Sequence, residues 1–533
     1  MKTVSLALVA TGTLMVAGCT PGSGGRPDSR SNDPLILRTH FVGTEQLFSS
    51  DDAAKLKEIW GLKSSADLRR QTLDRLARLP VRALGSAVPA GAPDQANLIR
   101  PLLDDLLTHE SYVEFRATPE FLIAVKLPAS RARVWQNNLS QAVSNWKLGT
   151  PAPIDTDGMT GWELKRKPVP SQLSVKHLRD WLVVSAGASS LALESNVLSA
   201  IRASGRPAKP TGAWLDGGAN LARFDTWLPV LGKYGNVPLA HFSLSNRADF
   251  VRTFVTLDFP KAHGWKSEEW HIPTNRIFDP LAVFTAVRGI APLLEALKPV
   301  QELGYKPTPN QVVGWGNHGL PFQLFYAAPS RDVTGQLKRL EPKLSSMLVS
   351  KGGTNLVGSL AWDTNRSDLY WRGMPLAAPQ LGSYQEGGTE FLEFRLFPIA
   401  QTKRRPPAEM FAQLQRPNLV YYDWEITDYR MPHWRQTYQM AEIATRRAFT
   451  SSNAPSQRWI SDLTPKLGES VTEIISTSPT QMTLTRKSHA GLTAFELITL
   501  SRWLESTNFP ALGIFPPQPQ RPTRPARTPA RAR

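Results

Sequence analysis

Asp423, Glu425, Asp428 and His433 bring three carboxylates and an imidazole within eleven residues. On the strand expected at Val420–Thr427, Asp423 and Glu425 share one face and Tyr422, Trp424 and Ile426 take the other. Two carboxylates in one cleft, about 5 or 6.5–9.5 Å apart, would suit glycoside hydrolysis. The same alternation describes the solvated face of a half-buried strand, its acids paired with Arg430 or Arg435, and this simpler reading is preferred. Ser144-Asn145-Trp146-Lys147 has the spacing that lets a lysine activate a serine one turn away. It falls at the end of an expected helix, without the companion motifs of the serine–lysine enzymes. His263, Glu268, Glu269 and His271 offer oxygen and nitrogen ligands, yet their spacing matches no recognised metal geometry. They read as a polar connection that docks Trp265 and Trp270 on the core. Phosphate-cradling glycine loops, nucleophile elbows and the H-E-x-x-H pair are all absent from the sequence. No catalytic, cofactor-binding or metal residue is therefore assigned.

Cys19 is the sole cysteine in 533 residues, which excludes internal disulfides and cysteine-based zinc sites. Its position supplies a meaning. Lys2 opens a positive segment, Val4–Val16 is mostly apolar, and the small residues Ala17 and Gly18 precede the thiol. The apolar run is too short to span a bilayer. Val16-Ala17-Gly18-Cys19 resembles the lipobox of bacterial lipoprotein precursors, with Val16 where leucine is commoner. The resemblance implies diacylglycerol on the Cys19 thiol, cleavage between Gly18 and Cys19, and stable anchoring once two or three acyl chains are present. Thr20, in place of an aspartate, favours the outer membrane by the same analogy. The segment order of the body is similar to that of uncharacterised large bacterial lipoproteins, and no site residue carries over from them.

Lys and Arg exceed Asp and Glu by 62 to 45, a formal charge of +17 that favours anionic surroundings. Outside the cytoplasm that points to lipid or an acidic envelope polymer, and no nucleic-acid partner is expected. Arg521, Arg524, Arg527, Arg531 and Arg533 lie in a Pro-rich tail without acidic neighbours, read as extended and disordered. The sixteen tryptophans divide in two. Trp135, Trp146 and Trp503 fall on apolar helix stripes, whereas Trp265, Trp270, Trp315 and Trp434 lie in less regular stretches where an indole could stack on a sugar.

The elements that position these residues suggest an α+β fold of repeated strand–helix–hairpin units, with mainly antiparallel sheets covered by helices. Sliding the chain by 201 residues sets Phe121 on Phe322, Pro128 on Pro329, Leu139 on Leu340 and Val143 on Leu344. The expected organisation is a signal peptide at 1–18, a flexible tether at 19–40 and a helical segment at 41–110. A first α+β unit follows at 111–260, a connecting helical segment at 261–310, a second unit at 311–400 and a third, looser unit at 401–512. The tail occupies 513–533. Helices are expected at 50–60, at 64–80, at 98–107 with Pro101 in the first turn, and from about 433 to 446. Thr493 and Glu496 promise a capping box for a helix reaching about Leu504. Together these readings describe a membrane-anchored envelope lipoprotein that binds or scaffolds without catalysis. The alternative is a glycan-directed hydrolase using Asp423 and Glu425.

Overall fold

A computed structural model describes residues 35–80, 94–117, 120–166, 171–188, 192–224, 235–318, 323–352, 359–363, 368–373, 378–397, 406, 408–444, 453–507 and 509–510. The signal segment, Cys19, most of the expected tether and the Arg/Pro tail lie outside them. The first strand, β1 (Leu35–Phe41), already falls inside the stretch expected to be tether. Leu37 is buried between strands, and that apolar contact orders the segment. Four helices follow, α1 (Thr44–Leu47), α2 (Ala54–Gly61), α3 (Lys63–Ala77) and α4 (Ala96–Thr108). Because α4 starts at Ala96, Pro101 sits inside it rather than in its first turn.

The chain then forms β2 (Ser111–Arg116), β3 (Glu120–Lys126), α5 (Ala129–Asn145), β4 (Ala152–Thr156), β5 (Met159–Arg166), β6 (Ser171–Leu178) and β7 (Trp181–Ala188). Helix α6 (Ala192–Ser204) leads to β8 (Leu215–Asn220), β9 (Leu239–Arg247) and β10 (Phe250–Asp258). The second half repeats the sequence of strands. It runs β11 (Leu281–Arg288), α7 (Ala291–Glu295), α8 (Lys298–Leu303), β12 (Gln311–Asn317), β13 (Leu324–Ser330) and α9 (Val333–Gly352). Next come β14 (Ser359–Asp363), β15 (Asp368–Arg372), β16 (Gln380–Glu386), β17 (Thr389–Arg395), α10 (Ala408–Ala412) and β18 (Leu419–Ile426). The chain ends with α11 (Thr427–Ala444), α12 (Pro455–Leu463), β19 (Glu469–Ser478), β20 (Gln481–Ser488) and α13 (Ala494–Glu505). Thus α11 begins directly after β18, six residues before the expected start, with Pro432 inside it.

All described pairings are antiparallel and join twenty strands into one open sheet. Its order is β4-β5-β6-β7-β3-β2-β1-β8-β9-β10, then β20-β19-β18-β11-β12-β13-β17-β16-β15-β14. The second ten strands reverse the first ten. The repeat is therefore a duplication of two ten-strand halves, and the stretch expected to be a third unit supplies β18, β19 and β20 of the second half. The expected connecting segment likewise contains β11. Hairpins β9–β10 and β19–β20 turn at Ala248–Asp249 and Pro479–Thr480, so Phe254 corresponds to Thr485. Those two residues are also cross-strand partners, and a pseudo-twofold axis passes between them.

The 201-residue slide is only locally correct. If Tyr112 is matched to Val313, their partners are Ala124 and Ala327, because the second hairpin connection is longer. Phe121 then falls on Leu324, and Phe322 lies outside the described residues. Pro329 does not close β13 but pairs with Phe391 inside it. It is tolerated there because β12 pairs with β13 only as far as Ala327, leaving that edge free at Pro329.

Helices α2, α11, α12 and α13 cover one face of the central strands through Ile59, Met431, Ile460, Leu463 and Leu497. Helix α5 covers one face of the outer first-half strands with Ala132, Trp135 and Val143, and α6 covers the other with Leu193, Val197 and Ile201. The β9–β10 turn holds both Ala248 (φ 50°) and Asp249 (φ 64°) in the left-handed region, where a Cβ is strained. Ala248→Gly should therefore stabilise the protein by about 0.5–1 kcal/mol, read as a higher midpoint in chemical denaturation.

Candidate functional site

Asp423 and Glu425 do share a face of β18, as expected, but it is the buried face. They are 2 % and 1 % exposed, whereas Trp424 and Ile426 on the opposite face are only half-buried. Neither the solvated-face reading nor an open catalytic cleft fits that placement. Directly paired residues form a row across five strands, Thr253, Arg486, Thr472, Asp423 and Thr285. Thr285 Oγ1 donates to Asp423 Oδ1 at 2.5 Å, and Arg486 Nε donates to Thr472 Oγ1 at 2.8 Å. The Arg486 guanidinium also grips Glu496 at 2.6 and 3.2 Å.

Glu496 has a second task. It is the third residue of α13, and its carboxylate accepts the Thr493 amide while Thr493 Oγ1 accepts the Glu496 amide. The predicted capping box is present, and it also carries the anion that balances Arg486. Glu425 Oε1 accepts the Ala494 amide at 2.7 Å and the Thr427 hydroxyl at 3.2 Å. Two carboxylates thus meet the positive end of α13, where backbone amides lack helical partners. Arg430 is lowered by burial, while the nearby charges of Glu425 and Asp423 oppose that shift. It donates to His433 Nδ1 at 3.3 Å and lies over the Trp434 ring. Burial, with Arg430 and His318 nearby, pushes His433 down to about 4.

The remaining sequence candidates stay apart. Ser144 lies exposed in the last turn of α5, and Lys147 lies exposed beyond it in a left-handed conformation. His263 is buried, its Nε2 within hydrogen-bonding reach of Ser476 Oγ and Ser478 O, while its Nδ1 accepts the Trp265 amide. His271 instead meets Thr389 near the β16–β17 hairpin. Among the described residues no three His, Asp, Glu or Cys side chains converge to hold a metal. Trp270 packs on the second-half core under the Arg288 guanidinium, as the loop-docking reading anticipates. Trp315 and Trp434 are not free platforms either. Trp315 is 1 % exposed and stacks on Phe325, and Trp434 meets Phe495 edge-on.

A cluster without any sequence motif stands out instead. His40 on β1 lies between two carboxylates, with Nδ1 3.1 Å from Asp216 Oδ2 and Nε2 3.0 Å from Glu110 Oε1. Burial disfavours the charged ring, but the carboxylates on its two nitrogens outweigh that and push His40 up to about 9. Burial raises Glu110, but His40, Arg206 and Lys126 together hold it below its usual range. Asp216 also accepts the Thr211 hydroxyl at 2.7 Å. Gly217 lets β8 lie close enough to β1, since a Cβ there would sit 2.0 Å from the Arg38 carbonyl oxygen.

Two adjoining clefts open at this cluster, about 250 and 540 Å³ in volume, and both are lined by Val42, Gln46 and Glu110. His40, Arg206, Thr211, Trp214 and Asn246 line the smaller one; His109, Lys126 and Asp180 line the larger. The imidazole has no free nitrogen for proton transfer, so the cluster is a charged floor rather than a general base. Counting outward from the pseudo-twofold axis, Ser243 corresponds to Glu473, and the paired His40 and Asp216 correspond to the paired Ala286 and Tyr422. That second pair is part of an apolar core, so the charged cluster belongs to one half alone.

No protein-family model and no curated protein matches the sequence. Similar solved structures include crystal forms III and I of TP0453 from Treponema, each with a TM-score of 0.24 over 47 % of this chain. They align over 84 % and 83 % of their own length at 13 % and 14 % identity.

Breaking the Arg486–Glu496 pair by Arg486→Met leaves a buried anion and should cost about 3–5 kcal/mol in urea denaturation. Combining it with Glu496→Gln should cost less than the sum of the two single losses. Two histidines should tilt the pH dependence in opposite senses. His40, raised to about 9, contributes stability fully present below pH 6.5 and lost as pH rises through 9. His433, lowered to about 4, contributes stability present above pH 6.5 and lost as pH falls towards 4. In thermal midpoints measured from pH 4 to 10, His40→Gln should flatten the alkaline decline and His433→Gln the acid one.

Proposed function

We propose that this chain is an envelope lipoprotein, held at a membrane by lipid on Cys19, whose body binds a ligand without turning it over. The observation that carries the non-catalytic half is the fate of Asp423 and Glu425. Both are consumed inside the fold, one by Thr285 and the other by the first turn of α13. A hydrolytic pair needs one carboxyl group to protonate a leaving oxygen and another to reach the sugar. Beneath α11 and α13 neither has that access.

The anchoring half is supported by the lipobox at Val16–Cys19. Residues 20–34 separate Cys19 from β1, and fully extended they reach at most roughly 50 Å. No helix among the described residues is long and apolar enough to cross a membrane. The outer membrane, with the body facing the periplasm, is the favoured site because Thr20 follows the cysteine. An Arg-rich tail at 521–533 would add an attraction to anionic lipid or envelope polymer that salt weakens.

Growth with an alkyne-bearing palmitate should label the wild-type protein and leave it in the membrane fraction. Cys19→Ala should abolish the label and release the protein, and continued labelling overturns the assignment. Turnover of a glycan that disappears in Asp423→Asn or Glu425→Gln, with the fold intact by circular dichroism, overturns the non-catalytic reading.

A further inference from the structure

We propose that the double cleft beside His40 binds a neutral saccharide. The inference rests on the reading of the chain as a binding protein and names the ligand class. Its first ground is charge. Each cation with an ion pair at the cleft has a carboxylate beside it. His40 has Asp216 and Glu110, and Arg206 and Lys126 approach the same Glu110 at 4.0 and 3.9 Å. An anionic ligand would have to compete with these internal carboxylates for the cations. An uncharged ligand need not.

The second ground is the pattern of uncharged groups. Asn246 Nδ2 is buried without a hydrogen-bond partner, while its Oδ1 accepts the Trp214 indole N–H at 3.2 Å. A buried amide donor left open is costly, so the side chain gains by turning toward a hydroxyl in the cleft it lines. Trp214 is half-buried, braced edge-on by Phe41, and its only polar atom is already occupied. What it offers the cleft is apolar ring surface. Gln46 stands exposed where the two clefts join. An indole, two planar amides and a carboxylate around a charge-balanced floor match a sugar ring, which carries an apolar C–H face and a rim of hydroxyls. The combined volume accommodates more than one ring.

The test uses the lipidated full chain in a detergent without a sugar headgroup. Chitotetraose, an N-acetylated glycan of the wall type, maltotetraose, a plain glucan, and anionic trigalacturonate are each titrated by calorimetry. The expected result is binding of at least one neutral tetrasaccharide in preference to trigalacturonate. The neutral sugar that binds distinguishes a wall-type source from a storage-type one. Trp214→Ala and Gln46→Ala should each weaken that binding about tenfold or more. Gln46→Ala tests the cleft even where Trp214→Ala disturbs packing, because Gln46 lies on the surface. Failure of both neutral sugars to bind, tighter binding of trigalacturonate, or unchanged affinity in Gln46→Ala overturns the proposal. Recovery of shortened sugars after incubation overturns the non-catalytic function instead, so the two failures are distinguishable.

Discussion

Arg486 is a guanidinium enclosed in the central sheet, and a charge so placed demands an anion at hydrogen-bonding distance. Glu496 supplies it, and that requirement fixes much else. Glu496 reaches Arg486 from the first turn of α13, so the helix must dock with its N-terminus over β20. Docking there brings the Ala494 amide to Glu425 and so gives β18 its inward carboxylate. At its other end α13 is held by α3, where Arg75 donates to the Leu504 and Ser506 carbonyls and Gln71 donates to Glu505 at 3.0 Å. The last helix thereby ties the N-terminal helices to the middle of the sheet.

The same place is where the two halves meet. β10 and β20 pair from Val251–Ser488 to Asp258–Gln481, and Arg486 faces Thr253 across that seam. Its exchange of backbone hydrogen bonds would be available to any two strands of suitable shape. The buried ion pair adds a polar condition that a slipped register would leave unmet. Duplication accounts for the palindromic strand order, and divergence accounts for the chemistry. Around the axis one half has His40, Asp216 and an open cleft, while the matching pair in the other half, Ala286 and Tyr422, fills a core.

How much of this was legible depended on how local each signal is. The apolar stripe of α5, the α13 capping box and the strand–helix–hairpin order of the repeat are written within a few turns of chain, and the structure has them. Strand β8 is not legible as a strand, because Gly217 and Gly218 look like a loop until β1 is seen to need the space. Strands β19 and β20 carry polar residues such as Thr472, Arg486 and Ser488 on their buried side, which blurs the alternation expected of a half-covered sheet. The start of α4 was misplaced because Pro101 was read into its first turn, and α11 starts six residues before the expected 433; each helix contains a proline.

By itself, then, the sequence determined the period of elements such as α5 and α13, the presence of a repeat and the presence of a lone thiol at Cys19. Those properties depend on neighbours along the chain. Tertiary structure decided that the Asp423 and Glu425 face of β18 is covered while Tyr422 on the other face joins a core, because alternation alone does not say which faces are covered. It also decided that His40 should meet Glu110 and Asp216, 70 and 176 residues away. No spacing encodes such a meeting. It exists because β1 lies between β2 and β8, and that neighbourhood is set by packing of the whole sheet.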